Sequence, residues 1–450
     1  MSKIITLFFS LLLSFSVFAR SGKIELSGKV LNHSVKTIAI THLNNQELVS
    51  TELNADGSFS MSVRIEDGYY FLKYGRNSTF IYLYPKDDLS VKFDANHFKS
   101  SLVFSGQGSI RNNYLVEKED TAAELTKDLE AFYKVDESAY YENIAKVKNL
   151  QSDLLSTYKV ENFFKAEELK SLEYERLLSI QNYKSSYRFY IGGEVTPSAG
   201  FYGPVKAVDL DNKDDYRKQP YYRYLVNSVW SKRIEAAPDV DAMLKVLHKV
   251  KSQEVAISLI NGFYSKISSK EKRAKDYLDL IKRVTTHRPF IEAAEKRYQE
   301  VLNASGLAKG DVSPEFDYES FKGGSVSLED LKGKYVYIDV WATWCAPCIK
   351  QIPYLRELEK RYHDKNIVFV SISVDKEDVK DTWKQMIADK QLGGIQLFAD
   401  KSFDSAFMDA FGVNSIPRFI LINPEGKIVD PEAPRPSFDK TRLMLDELLN

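Results

Sequence analysis

The chain holds only two cysteines, Cys345 and Cys348, with Ala346-Pro347 between them. No web of disulfides can therefore staple its 450 residues, and apolar cores must hold the fold. The pair follows a mostly apolar run, Lys334 to Trp341, and precedes helical spacing through Ile352, Leu355 and Leu358. Strand, tight turn and helix start is the local geometry this pattern demands. Two cysteines separated by two residues at a helix start can close a small disulfide ring with little backbone movement. The helix dipole and free backbone N–H groups favour a thiolate on the first of them. Cys345 is thus expected to be the exposed nucleophile of low pKa. Cys348, one turn into the helix, is expected to be the buried thiol that resolves a mixed disulfide. Pro347 falls in the first helical turn, where its missing N–H is tolerated. A zinc half-site would need two further ligands, and only His363 lies nearby. A passive disulfide closing so short a loop would stabilise little.

The sequence around the pair reads as one α/β unit. Asn366 to Val374 is a second apolar strand, followed by helices over Val379 to Ala388 and Phe403 to Phe411. Arg418 to Ile422 and Lys427 to Val429 form a hairpin across Asn423-Pro424-Glu425-Gly426, and Phe438 to Leu449 closes the chain as a helix. This order predicts a mixed sheet with helices packed on it.

At about 150 residues per domain, the length leaves room for roughly three domains. With 62 Lys and Arg against 63 Asp and Glu, the chain is nearly neutral and has no overall footprint for nucleic acid. Ile4 to Phe18 is an apolar stretch after Lys3, and Val17-Phe18-Ala19 predicts signal-peptide cleavage near Ala19. At about 15 residues it is short for the alternative, an uncleaved spanning anchor. Arg20 stands where a lipoprotein would need Cys. From about Lys23 to Gly106, short alternating runs such as Ile24 to Val30 and Ser58 to Val63 predict a β-sandwich. Its His33, His42 and His97 show no ligand spacing. From Arg111 to Ala308 the period becomes helical, with Gly192 to Pro204 as a break between two helical groups. The tyrosines at 183, 187, 190, 221, 222 and 224 could line a groove, but such rings more often pack a core.

The segment Val340-Trp341-Ala342-Thr343-Trp344-Cys345-Ala346-Pro347-Cys348 resembles the active site of thioredoxins. With Ser327 to Lys334 and Gly412 to Ile422, it is similar to the TlpA/ResA branch of exported thioredoxin-like reductases. The front β zone resembles, more loosely, the uncharacterised domain that often precedes such modules in Bacteroidota. The expected division is a signal peptide over 1–19, a β-sandwich of unknown function over 20–110, a helical region over 111–308 and a thioredoxin-like α/β domain over 309–450. The resemblance implies that Asp339 is the buried acid exchanging a proton with Cys348, and that Pro417 is a cis-proline against the disulfide. It also implies that Ile416 offers backbone to an extended substrate and that Trp344 borders the docking surface. No cofactor or metal is implied.

Three positions depart from that pattern. Gln351 stands where ResA-type members carry a titratable Glu, Ser371 falls on the Lys that pairs with the buried acid, and Arg418 adds a charge after the cis-proline. Arg418 is either a substrate-docking residue or solvated. Ala346-Pro347 carries no His to stabilise a thiolate, which favours a reducing potential. The expected activity is reduction of disulfides in periplasmic envelope proteins, with apocytochrome c as one candidate. Electrons would come from a membrane donor of the DsbD/CcdA kind, and the N-terminal domains would bind an unknown partner. An oxidase or isomerase, or a binding protein using the fold as scaffold, are the alternatives. A peroxidase would need a lone Cys at another spacing from Thr343.

Overall fold

A computed structural model describes residues 21–268, 271–303 and 307–449. The expected signal peptide lies outside them. Among the described residues, no helix is long and apolar enough to cross a membrane. The chain divides into two compact units. The first holds the chain through Lys266 together with Lys275–Ala294, and the second holds Ile267–Ala274 and everything from Glu295 onward.

The first unit opens with eight strands: β1 (Ser21–Leu31), β2 (Thr37–Thr41), β3 (Glu47–Glu52), β4 (Ser58–Glu66), β5 (Gly68–Tyr74), β6 (Asn77–Leu83), β7 (Asp88–Asp94) and β8 (Val103–Gln107). They form two four-stranded sheets, ordered β4-β1-β7-β8 and β3-β2-β5-β6. Alternation places Ile24, Leu26, Val30, Ile38, Ile40, Leu72 and Val91 in one buried core shared by both sheets. Within the same unit, helix α1 (Ser109–Leu125) packs on β6 and β8, and α2 (Glu137–Thr157), α3 (Asn162–Ile191) and α4 (Pro220–Glu235) follow. The sandwich and these helices fall within one compact unit.

Buried charge joins the strands to the helices. Arg111 on α1 is 1% exposed and pairs with buried Asp87 and with Glu161. Lys118 and Tyr114 both donate to the buried Glu168, at 2.7 and 3.1 Å, and Tyr69 of β5 donates to the same carboxylate. The tyrosines are mainly packing residues. Tyr140, Tyr183 and Phe201 cluster in a core with Leu177, Ile180 and Leu225, while Tyr224 is 38% exposed.

The second unit is built on a seven-stranded mixed sheet. Its strands are β9 (Asp317–Ser320), β10 (Ser325–Ser327), β11 (Tyr335–Trp341), β12 (Ile367–Ser373), β13 (Ile395–Phe398), β14 (Arg418–Ile422) and β15 (Ile428–Asp430). The order is β10-β9-β13-β12-β11-β14-β15. β11 is central, parallel to β12 and antiparallel to β14. Helix α5 (Ala346–Ile349) leads to α6 (Ile352–Arg361), and α7 (Lys380–Asp389), α8 (Ala406–Ala410) and α9 (Asp439–Leu449) complete the unit.

Period-2 alternation splits the central strand. Val336, Ile338 and Val340 enter a core with Ile372, Trp383, Phe407 and Ile420. Tyr337 enters the opposite core with Leu355, Leu358, Tyr362, Phe419 and Leu445. An acid at position 339 thus falls on the α6 side, between Tyr337 and Trp341. The expected third helix over Phe403 to Phe411 narrows to Ala406–Ala410, preceded by a short 3-10 turn at Ser402–Asp404.

Candidate active site

The site begins where β11 ends. Ala342 to Trp344 turn the chain, and Cys345 caps the short helix α5. Its sulfur accepts from the Cys348 N–H at 3.2 Å, while its carbonyl accepts from the N–H groups of Cys348 and Ile349, both at 3.0 Å. This N–H is the donor that would stabilise a thiolate on Cys345. The two cysteines are joined in a disulfide with Cα atoms 5.2 Å apart.

The expected contrast in exposure is corrected here. Cys345 is 4% exposed and Cys348 3%, so both are buried. In the oxidised pair each belongs to the same apolar cluster as Trp341, Ala342 and Val413, with Ile416 packed against it. The exposed neighbour is Trp344, at 45%, whose ring lies 6.5 Å from that of Phe403.

The turn before Cys345 is tied down by a residue that sequence reading did not single out. Asp375 is buried and accepts from Thr343 N and Thr343 Oγ1, both at 2.9 Å, and from Ser373 Oγ at 2.8 Å. Its place two residues beyond β12 is the only local signal, and an acid after a strand is too common to stand out.

Asp339 lies behind Cys348, and both line one small cavity. Asp339 is 7% exposed, and its Oδ1 is buried without a hydrogen-bond partner among the described residues. Burial pushes its carboxyl up to about 7; the Ser371 hydroxyl works against this and the Glu359 charge adds to it. Register sets Ser371 directly beside Asp339 on β12. A hydroxyl thus occupies the place where a lysine would have held the acid low.

The peptide bond between Ile416 and Pro417 is cis, and both residues are half-buried. Arg418 is placed differently from the expectation of a docking or solvated charge. Its side chain is 8% exposed, donates to the Pro431 carbonyl at 2.9 Å and pairs with Glu432. Position 418 is in a strand whose residues are all buried, so the guanidinium had to find partners inside. Gln351 is buried as well, its Oε1 accepting from Ser437 N at 3.1 Å. Among the described residues, no group of three or more His, Cys, Asp or Glu is arranged to hold a metal.

Residues 308–442 match the Redoxin family. The thiol-disulfide oxidoreductase ResA of Bacillus subtilis is 33% identical over 125 residues, covering 27% of this chain and 66% of that protein. ResA of Bacillus thuringiensis is 31% identical over 121 residues, covering 27% of this chain and 67% of its relative. The chain belongs to the TlpA/ResA-like thiol-disulfide oxidoreductases of the thioredoxin family.

It spans about two thirds of the length of these ResA relatives, and they in turn match little more than a quarter of it. A solution structure of a Bacteroides vulgatus protein assigned as a thiol-disulfide oxidoreductase is 45% identical, covering 32% of this chain and 92% of that one, with a TM-score of 0.29.

Proposed function

We propose that this ResA-like chain is an exported reductase of disulfides in envelope proteins, working through the Cys345/Cys348 dithiol. The observation that carries the reading is Asp339, a buried carboxylate with one oxygen unpartnered among the described residues, lining the same cavity as Cys348. A carboxyl titrating near neutrality can take a proton from a thiol and return it within one cycle.

Cys345, as thiolate, attacks a substrate disulfide, whose S–S bond breaks; one substrate sulfur joins Cys345 in a mixed disulfide and the other leaves as a thiolate that protonates from solvent. Asp339 takes the proton of Cys348, whose thiolate attacks the Cys345 sulfur. The bond between Cys345 and the substrate breaks, the substrate leaves as a thiolate that protonates from solvent, and the Cys345–Cys348 bond closes. Two electrons pass from the enzyme to the substrate.

Ile416 before the cis-proline would offer its backbone to an extended segment, with Trp344 bordering the docking surface. Arg418 acts in this reading as a positioning residue, anchoring the start of β14 to the Pro431-Glu432 segment. Export rests on the apolar stretch Ile4 to Phe18 with cleavage near Ala19, and the membrane electron donor on the need for a reductant in an oxidising periplasm. The sandwich and helices of residues 20–308 serve in this reading to bind a partner.

Ala346-Pro347 holds no charge that would stabilise the reduced pair, which supports the reducing direction. Equilibration of the full chain with glutathione and dithiothreitol buffers tests it. A potential near or below about −250 mV is expected, and one of about −120 to −180 mV would make the protein an oxidase or isomerase.

A further inference from the structure

A second carboxylate faces the same cavity. Glu359 lies one turn beyond Leu355 on α6, and both side chains line that cavity. It is half-buried and makes no ion pair or hydrogen bond among the described residues. The cavity it lines with Asp339, Cys348 and Ser371 has a volume of about 10 Å³, the room of one water. Buried polar atoms without partners, Asp339 Oδ1, Trp341 Nε1 and Gln396 Oε1, belong to residues lining that space.

Gly393 makes room for the Glu359 carboxyl. A Cβ at Gly393 would stand 2.0 Å from Glu359 Oε2, so a side chain there would displace it. Glu359 also lines a second space, an open groove bordered by Lys360, His363 and Gln391. One carboxylate thus borders both the cavity that reaches Cys348 and a groove on the outside.

We propose that Glu359 is a second proton carrier of the dithiol site, passing to solvent the proton that Asp339 takes from Cys348. The proposal rests on the dithiol reading given above. In the resolving step Cys348 loses its proton to the Asp339 carboxylate, and the acid so formed protonates Glu359. Glu359 then releases the proton into the groove, while the electron pair stays on the Cys348 sulfur until the new disulfide forms. The step runs in reverse when the pair is reduced.

The surroundings suit a group that changes charge near neutrality. Burial raises the Glu359 carboxyl to about 7, opposed by Arg356 one turn earlier. From β11 the titratable group lining the cavity is Asp339, while α6 adds Arg356 at both spaces and Tyr362 follows it at the groove. β12 offers Ser371, β13 the Gln396 amide, and the segment leading into β13 the Gly393 backbone. Lys360 and His363 stand at the groove.

The test uses the reduced full chain with oxidised glutathione as the probe disulfide. The resolving step is followed by tryptophan fluorescence in stopped flow from about pH 5 to 9. The native chain is expected to show two ionisations near neutrality that belong to the pair of carboxyls. Glu359→Gln should leave one ionisation and slow the step about tenfold above pH 7, and Glu359→Asp should recover part of the loss. Gly393→Ala, which pushes the carboxyl aside, should give the same single ionisation and carries the test if Glu359→Gln does not fold. A Glu359→Gln profile that superimposes on the native one, or a slowing equal at every pH, would overturn the proposal. A native chain that never reacts with the probe would instead overturn the dithiol reading itself.

Discussion

Replacing Asp339 by Asn should stabilise the second unit, and by an amount that depends on pH in a defined way. The side chain keeps its shape but loses its charge. In the folded chain the Asp339 carboxyl titrates at about 7, against 3.8 for the ordinary group, because burial disfavours the anion. At about 1.4 kcal/mol per pH unit, this rise corresponds to about 4 kcal/mol. The sign follows from proton binding. Between about pH 4 and 7 the unfolded chain has released this proton and the folded chain still holds it, so stability falls as pH rises. Above the folded value both states are ionised and the full penalty is in place. Below about pH 4 both are protonated and there is none. Asn carries a constant cost for its buried amide, which cancels when two pH values are compared. The Asp339→Asn chain minus the native chain should therefore gain about 4 kcal/mol between pH 4 and pH 8. Part of that gain is shared with Glu359, which raises Asp339 through its own charge. Guanidinium unfolding followed by tryptophan fluorescence measures it, since Trp341 and Trp383 lie in this unit's core. A difference that stays flat across this range would refute the buried, unpaired state of Asp339. The same variant should slow the resolving step, so activity and stability move in opposite directions.

Cys348→Ser should trap Cys345 in mixed disulfides, visible as a mass shift with a peptide disulfide and reversed by dithiothreitol. Absence of trapping would show that Cys345 is not the attacking sulfur. Glu432→Gln should cost the second unit about 1 kcal/mol, because it removes the charged partner of a buried Arg418 while Glu432 itself is half exposed. It should leave KM for a peptide disulfide unchanged, whereas a raised KM would return Arg418 to substrate docking.

Much of the second unit was legible locally. The run from Lys334 to Trp341 is apolar enough to be a strand buried on both faces, and the position of Asp339 within it makes the acid conspicuous. The cysteine spacing identifies a redox pair from adjacent residues alone. β13 was not legible. Ile395 to Phe398 is four residues long, carries Gln396 at a buried position and follows two glycines, so neither length nor alternation marks it. β9 and β10 are equally short, and they become strands because β9 pairs with β13 across the sheet. In the first unit β2, β3 and β8 were missed for the same reason, being five or six residues long and dependent on partners for their hydrogen bonds.

The charges divide in the same way. Sequence placed Arg418 after the cis-proline and could assign it either to solvent or to substrate. Only the strand pairing with Val340, which buries position 418, turned it toward Glu432. Glu359 reads from the sequence as one more charge on a helix with a solvated face. What makes it part of the site is Gly393, 34 positions later, which leaves space for its carboxyl beside the cavity of Asp339. Residue types and their local spacing determined the chemistry of this protein, because a thiol pair at a helix start and an acid in an apolar strand act over a few bonds. The tertiary structure decided which carboxylates share that chemistry and which cations do not, because burial and pairing depend on residues brought together from distant parts of the chain.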